Sequence, residues 1–248
     1  MQLHLSTWPD VEDYLKRSTA IILPIGSTEQ HGPNGMVGTD AICPEVIAKG
    51  VGDKTGALVG PTFNVGIAQH HLGFPGSMTL KPSTMIAVMQ DWTESLMRHG
   101  FDKFYWLNGH GGNIATLGAA FAELRSAYSL QPAGSNAHAP ILLQRNWWQG
   151  TRVQKLSKEL FAENEGGHAT PSEVSLTWAA YPNHARPDVT MTPDRAPYGP
   201  IGDAEDYRRR FPDGRIGSNP MLASVEAGEK LLKAAVQDVV EDWEKFDR

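Results

Sequence analysis

Short apolar runs rich in β-branched residues alternate with segments of helical periodicity along most of this chain. That alternation constrains the fold more than any other feature. Ala20-Ile21-Ile22-Leu23-Pro24-Ile25 is such a run, closed by Gly26, and segments 57–61, 104–107 and 141–143 repeat the pattern. Between them lie a helix expected at 44–49 and stopped by Gly50, and one from Thr84 with Met85, Met89, Trp92 and Leu96 on one stripe before Gly100. A third carries Ile114, Leu117, Phe121, Leu124 and Tyr128, and a last one over 223–246 carries Leu232, Val236, Val239, Trp243 and Phe246. Strands that are apolar throughout, separated by helices, predict a mainly parallel sheet covered on both faces. The expected fold class is therefore α/β, a single domain over residues 1–248. The Pro/Gly/Asp/Arg-rich stretch 183–220 reads as one long functional loop.

Composition narrows the function. With 40% hydrophobic and 20% charged residues the chain can bury a core, which excludes a disordered protein. Twenty-two basic against 28 acidic residues give a net charge of −6, which argues against nucleic acid as a partner. No apolar run is long enough to span a bilayer, so no membrane is expected. The first ten residues lack a basic and then apolar leader, so no secretory signal is expected either. A single cysteine, Cys43, permits no internal disulfide and fits a cytoplasmic setting. Near the start of a helix, it reads as a small buried apolar residue.

The polar residues gather where open α/β sheets place their chemistry, beyond the carboxyl ends of strands. After strand 20–25 comes Gly26-Ser27-Thr28-Glu29-Gln30-His31-Gly32-Pro33, then Gly38-Thr39-Asp40. After strand 104–107 comes Asn108-Gly109-His110-Gly111-Gly112-Asn113. Glu29 and His31 share a side of an extended segment. With Asp40 and His110 they form a nitrogen–oxygen set without thiolate, suited to zinc, manganese, iron or nickel at a catalytic site. Singly, each also reads as an ordinary loop residue. Ser27 and Thr28 lack the strand–turn–helix elbow of a serine hydrolase. A phosphate-cradling turn at 108–113 lacks the Lys-Ser/Thr ending of a nucleotide loop.

These two segments, IILPIGSTEQHGPNGMVGTD and WLNGHGGN, resemble the signature segments of the creatininase (creatinine amidohydrolase) family. Gln69-His70-His71-Leu72-Gly73-Phe74-Pro75-Gly76-Ser77 is similar to a third, and Gly214-Arg215-Ile216-Gly217-Ser218 with Ala223-Ser224 to the loop before its last helix. The resemblance implies a three-layer α/β/α fold, a homo-oligomer, commonly hexameric, and a two-metal site hydrolysing C–N bonds of cyclic amides or formamides. By position, Glu29, His31, Asp40 and His110 match metal ligands, with Asp40 bridging. True creatininases carry Tyr-Glu directly after the histidine matching His110, and that Glu is a ligand. Here Gly111 and Gly112 stand in their place, so creatinine itself is in doubt as the substrate.

His168-Ala169-Thr170-Pro171-Ser172-Glu173 resembles a further family segment, which makes Glu173 a candidate fifth ligand. The same residues form a capping box, with Thr170 at the N-cap and Glu173 at N3, so ligand and cap stand as alternatives. With Glu173, three carboxylates face two divalent ions, zinc with manganese or iron as alternatives. One bridging hydroxide would neutralise the remaining charge and serve as nucleophile. His168 is the candidate proton donor to the leaving nitrogen. His71, Gly111, Gly112, Trp147 and Trp148 are candidate substrate contacts, the glycines through backbone N–H groups and the tryptophans as walls for a flat ring. His70 either lines the pocket or packs. Tyr207-Arg208-Arg209-Arg210 reads as a solvated face or subunit contact. The reading is a metal-dependent amidohydrolase acting on a small molecule. Its alternatives are a peptide-maturation protease of the same family and a non-catalytic metal-binding protein.

Overall fold

β1 (Ala20–Ile25) is buried along its whole length, and its side chains divide by parity. Ile22 enters one apolar cluster, while Ile21, Leu23 and Ile25 enter another. A strand covered on both faces requires this division. The computed structural model describes residues 1–133, 135 and 138–248. Its elements are α1 (Trp8–Leu15), β1, α2 (Thr39–Thr55), β2 (Leu58–Val59), α3 (Pro82–Met97), β3 (Lys103–Asn108), α4 (Ile114–Ser129), β4 (Ile141–Asn146), α5 (Thr151–Phe161), α6 (Pro171–Ala180), α7 (Ala204–Arg210) and α8 (Val225–Phe246), with short 3₁₀ turns between.

The four strands are parallel, in the order β2-β1-β3-β4. Helices α1, α3 and α4 cover one face through Tyr14, Met85, Met89, Leu117 and Phe121. Helices α2, α5, α6 and α8 cover the other through Ile47, Val153, Leu176, Leu231 and Val236. The fold is the expected three-layer α/β arrangement, and Cys43 is fully buried within the second layer.

Three expectations need correction. Helix α2 does not end at Gly50; it begins at Thr39, runs through Pro44 and ends at Gly56 in the left-handed conformation. Pro44 has no N–H to offer the Asp40 carbonyl. Gly26 and Gly109, at the ends of β1 and β3, close on that carbonyl instead, and a Cβ at either would overlap it. Residues 183–220 are not one loop, because α7 forms inside them. Asp203 caps it by accepting from the Asp206 N–H, and Arg208, Arg209 and Arg210 in its last turn complement the helix dipole. Tyr207 is not a surface residue: it is buried with Phe74, Phe211 and Ile216, while the three arginines after it are exposed. Helices α1 and α5 were not expected at all.

Helix α8 lies against α6 at Gly228, where a Cβ would overlap the Ser175 carbonyl. Gly228→Ala gains about 1 kcal/mol of helix propensity but meets rigid backbone, and overpacking of this kind costs about 1–3 kcal/mol. The substitution is expected to lower the melting temperature. A Tm at or above that of the parent would show that the two helices do not meet there.

Candidate metal centre

Sheet register delivers the site. Ile25, Asn108 and Asn146 lie side by side at the carboxyl ends of β1, β3 and β4. The segments leaving them carry Glu29 and His31, His110, and Trp147 and Trp148. Asp40, in the first turn of α2, reaches the same point. Asn108 pins the ends together by donating from Nδ2 to the His110 carbonyl (2.7 Å) and to Asn146 Oδ1 (2.9 Å).

Asp40 sits between two imidazoles. His31 Nε2 is 3.0 Å from its Oδ1 and His110 Nδ1 is 2.7 Å from its Oδ2. His110 Nε2 is 3.3 Å from Glu29 Oε2, and His31 Nε2 is 3.9 Å from Glu173 Oε1. Donor atoms of Glu29, Asp40 and His110 lie within 4.8 Å of one another, and so do those of His31, Asp40 and Glu173. Asp40 belongs to both groups, the position a bridging carboxylate takes. Glu29, His31 and His168 form a third such group.

Each imidazole is fixed at one nitrogen by a main-chain carbonyl, which can only accept. His31 Nδ1–H donates to the Glu29 carbonyl (3.0 Å) and His110 Nε2–H to that of Ile67 (2.8 Å). The remaining nitrogens, His31 Nε2 and His110 Nδ1, face Asp40. Metal-ligating histidines are usually held in this way.

Two oxygens at the centre, Glu29 Oε1 and Asp40 Oδ2, are buried without a hydrogen-bond partner. Orphaned carboxylate oxygens are costly unless something positive meets them. The titration of the neighbours points the same way. Burial opposes a charge on His31, yet Asp40 lifts it to about 10. Burial likewise opposes His110, yet Glu29 and Asp40 lift it to about 9. Burial pushes the Glu29 carboxyl up and carries Glu173 to about 7. Against its own burial, Asp40 is held well below the usual carboxylate range by His31 and His110. The carboxylates thus draw protons onto the nitrogens a cation would use, and the residues present fit a divalent metal pair.

Glu173 forms the helix cap and also reaches the cluster. Its Oε1 accepts the Thr170 N–H (2.6 Å) and Thr170 Oγ1 accepts the Glu173 N–H (3.3 Å), completing the capping box. The same carboxylate closes the group with His31 and Asp40. A side chain at position 112 would run into His110 Nε2, whereas one at 111 would meet open space. Position 112 therefore has no room for a ligand side chain, and the third carboxylate near the cluster is that of Glu173.

His168 and His71 flank Glu29 Oε1, with His168 Nδ1 at 3.9 Å and His71 Nε2 at 3.0 Å. Burial lowers His71 to about 2 and takes His168 well below its ordinary value. Glu29, Asp40, His110, His168 and Glu173 open onto a cavity of about 750 Å³. His70, His71, Gly111, Gly112, Trp147 and Trp148 line it too. The indoles meet edge to face, 88° apart. Ser27, weighed from sequence only as a nucleophile, and two residues not singled out there, Glu165 and Gln30, lie in or under this wall. Ser27 donates to Glu29 Oε2 (2.8 Å), so it orients a carboxylate and is no nucleophile. Glu165, bonded to Ser172, has a buried Oε2 without a partner. Gln30 lies between His71 and His168.

The chain is similar to known proteins along nearly its whole length. The creatinine amidohydrolase of Pseudomonas putida is 28% identical over 249 residues, covering 95% of this chain and 93% of that protein. The mycofactocin precursor peptide peptidase of Mycolicibacterium smegmatis is 32% identical over 241 residues, covering 90% of this chain and 85% of its own length. A solved creatininase described as the Mn form aligns with a TM-score of 0.83 at 26% identity, covering 100% of this chain and 99% of that one. A mutant creatininase of Zn-Zn type aligns at 0.78 and 27%, covering 100% and 98%. The family model for Creatininase, described as Creatinine amidohydrolase, matches residues 4–242, and the chain belongs to that family.

Proposed function

We propose that this chain is a metal-dependent amidohydrolase that cleaves a C–N bond in a small cyclic amide or formamide. One observation carries the reading. Asp40 is shared by two donor groups whose orphaned oxygens form the floor of an open cavity. Glu29, Asp40 and His110 would hold one divalent ion, and His31, Asp40 and Glu173 the other. Zinc or manganese suits this nitrogen–oxygen set, as in the two solved relatives. When bound, such ions polarise the scissile carbonyl and bring the pKa of water towards neutrality.

The chain's own groups supply the rest. Neutral His168 holds its Nε2–H on the Gln30 carbonyl (2.8 Å), so a bare Nδ1 faces the cluster. It therefore begins as an acceptor, takes a proton from the attacking water and returns it to the leaving nitrogen. Backbone N–H groups of Gly111 and Gly112, beside the start of α4, are offered to the developing oxyanion. Trp147 and Trp148 wall the substrate. A cytoplasmic homo-oligomer completes the proposal, on the single buried cysteine and the family likeness.

A second reading has support of its own. The 32% identical relative is named as a peptide peptidase. The 750 Å³ cavity lies well inside the range for drug-sized ligands, far larger than a single small ring. Screening metal-loaded protein against creatinine, formamidopyrimidines, other cyclic amides and short peptides separates the readings. Bound metal without turnover on any of them would favour a non-catalytic role.

Three outcomes are expected. Asp40→Ala loses metal and activity together, read by elemental analysis and the same screen; retained metal would remove Asp40 from the bridge. His168→Ala keeps its metal while kcat falls about 10²-fold, in the range of general acid–base help. Loss of metal in that variant would make His168 a ligand, and an unchanged rate would make it structural. Metal binding must also displace the protons that His31 and His110 hold below about 10 and 9. Apparent zinc affinity of stripped protein should therefore rise from pH 6 to pH 8, with at least two protons released per pair of ions and a further one from Glu173 below about pH 7. A pH-independent affinity by calorimetry would contradict this ligand set.

A further inference from the structure

We infer that Gln30 is a positioning residue that fixes which nitrogen of His71 and of His168 faces the cluster, making His71 a donor and His168 an acceptor. The inference rests on the functional reading above for its consequence, but not for its geometry.

The Gln30 amide can be oriented without ambiguity. Its Oε1 lies 2.9 Å from the Gly32 N–H, and its Nε2 lies 2.9 Å from the Gly214 carbonyl. A main-chain N–H can only donate and a main-chain carbonyl can only accept, so the oxygen and nitrogen ends are settled. Gly214 allows the amide to lie there, since a Cβ at that position would overlap it.

One N–H of the amide goes to Gly214, and three atoms surround the other. These are His71 Nδ1 at 2.9 Å, His168 Nε2 at 2.9 Å and Tyr207 Oη at 3.3 Å. His168 Nε2 is also 2.8 Å from the Gln30 carbonyl, which only accepts. That nitrogen therefore carries the proton and cannot accept from the amide. Tyr207 donates its own hydroxyl to the Gly214 carbonyl (2.8 Å) and is the longest of the three contacts. His71 Nδ1 is left as the acceptor.

Both imidazoles then carry their proton on Nε2, yet they present opposite faces to Glu29 Oε1. His71 has its Nε2–H 3.0 Å from that oxygen, off the line of a hydrogen bond, whereas His168 has its bare Nδ1 3.9 Å from it. His71 thus offers no lone pair to a metal at that atom and acts through the carboxylate it faces. His168 is left free to receive a proton. Gln30 makes the division with its side chain for one ring and its main chain for the other.

The test is nitrogen NMR on the zinc-loaded full chain with ¹⁵N-labelled histidine, using long-range proton–nitrogen correlations to read which ring nitrogens are protonated. The parent should show bare Nδ1 and protonated Nε2 at both His71 and His168. In Gln30→Glu, a carboxylate of the same shape replaces the donor. Nδ1 of His71 should then move to the range of a protonated nitrogen, while His168, held by the main chain, keeps its pattern. A residue that only filled space would leave both patterns unchanged. A protonated His71 Nδ1 in the parent overturns the inference, and so does one that stays bare in Gln30→Glu. If that variant does not fold, the parent spectrum alone decides. Zinc content and hydrolysis are scored separately, so failure of the functional reading leaves the tautomer result intact.

Discussion

Everything around the cavity answers to one constraint: three carboxylates, Glu29, Asp40 and Glu173, converge where little water reaches them. Charges buried in this way cannot stand alone. Asp40 is held between His31 and His110, and its second oxygen still lacks a hydrogen bond of good geometry. The polar groups nearby are arranged to aim nitrogens at these oxygens rather than to screen them. Ser27 steadies one oxygen of Glu29, and the carbonyls of Glu29 and Ile67 turn His31 and His110 the right way round. A site that served only stability would be better filled with apolar side chains. The strain of gathered charge makes sense as a place prepared for cations.

The scaffold supports this by rigid means. β1 and β3 are central, parallel and paired residue for residue up to Ile25 and Asn108, so the two motifs leave the sheet from adjacent points. Glycines at 26 and 109 let the first turn of α2 sit on those ends, bringing Asp40 in from the side. The opposite wall is built by the chain between α5 and α8, where residue 168 pairs antiparallel with residue 216. Thus His168 and Glu173 arrive from a part of the sequence remote from the motifs they complete.

Much of this was legible in the sequence. The strands and the longer helices declared themselves through apolar runs and stripes, and the Glu29-x-His31 and Asn108–Asn113 motifs stood at strand ends. Helix α1 carries a signal that composition obscured: Asp10 accepts the Thr7 N–H at 2.8 Å, across a short segment containing Pro9. Helix α5 carries Val153, Leu156 and Phe161 at helical spacing among charged residues. Helix α7 was hidden because a seven-residue helix in a Pro/Gly-rich region is specified by its caps more than by its periodicity. The roles of Gln30 and Tyr207 could not be read locally. Each depends on Gly214, nearly two hundred residues after Gln30, and on backbone groups that no side-chain pattern reports.

Glu173 shows why a helix cap and a place in the carboxylate cluster are not rival readings. A long carboxylate free in solution loses about 1.5–2 kcal/mol of rotamer freedom when it is fixed. Here the Thr170 N–H holds one of its oxygens at 2.6 Å, and the first turn of α6 favours its negative charge. The side chain is therefore already ordered before any ion arrives, so little further entropy is lost on binding. Pro171 at the first helical position fixes the turn that makes this possible. The capping box stabilises the helix and sets the carboxylate against His31 and Asp40 at the same time. Where position 112 leaves no space for a side chain, a helix start elsewhere in the fold brings a carboxylate to the cluster ready oriented.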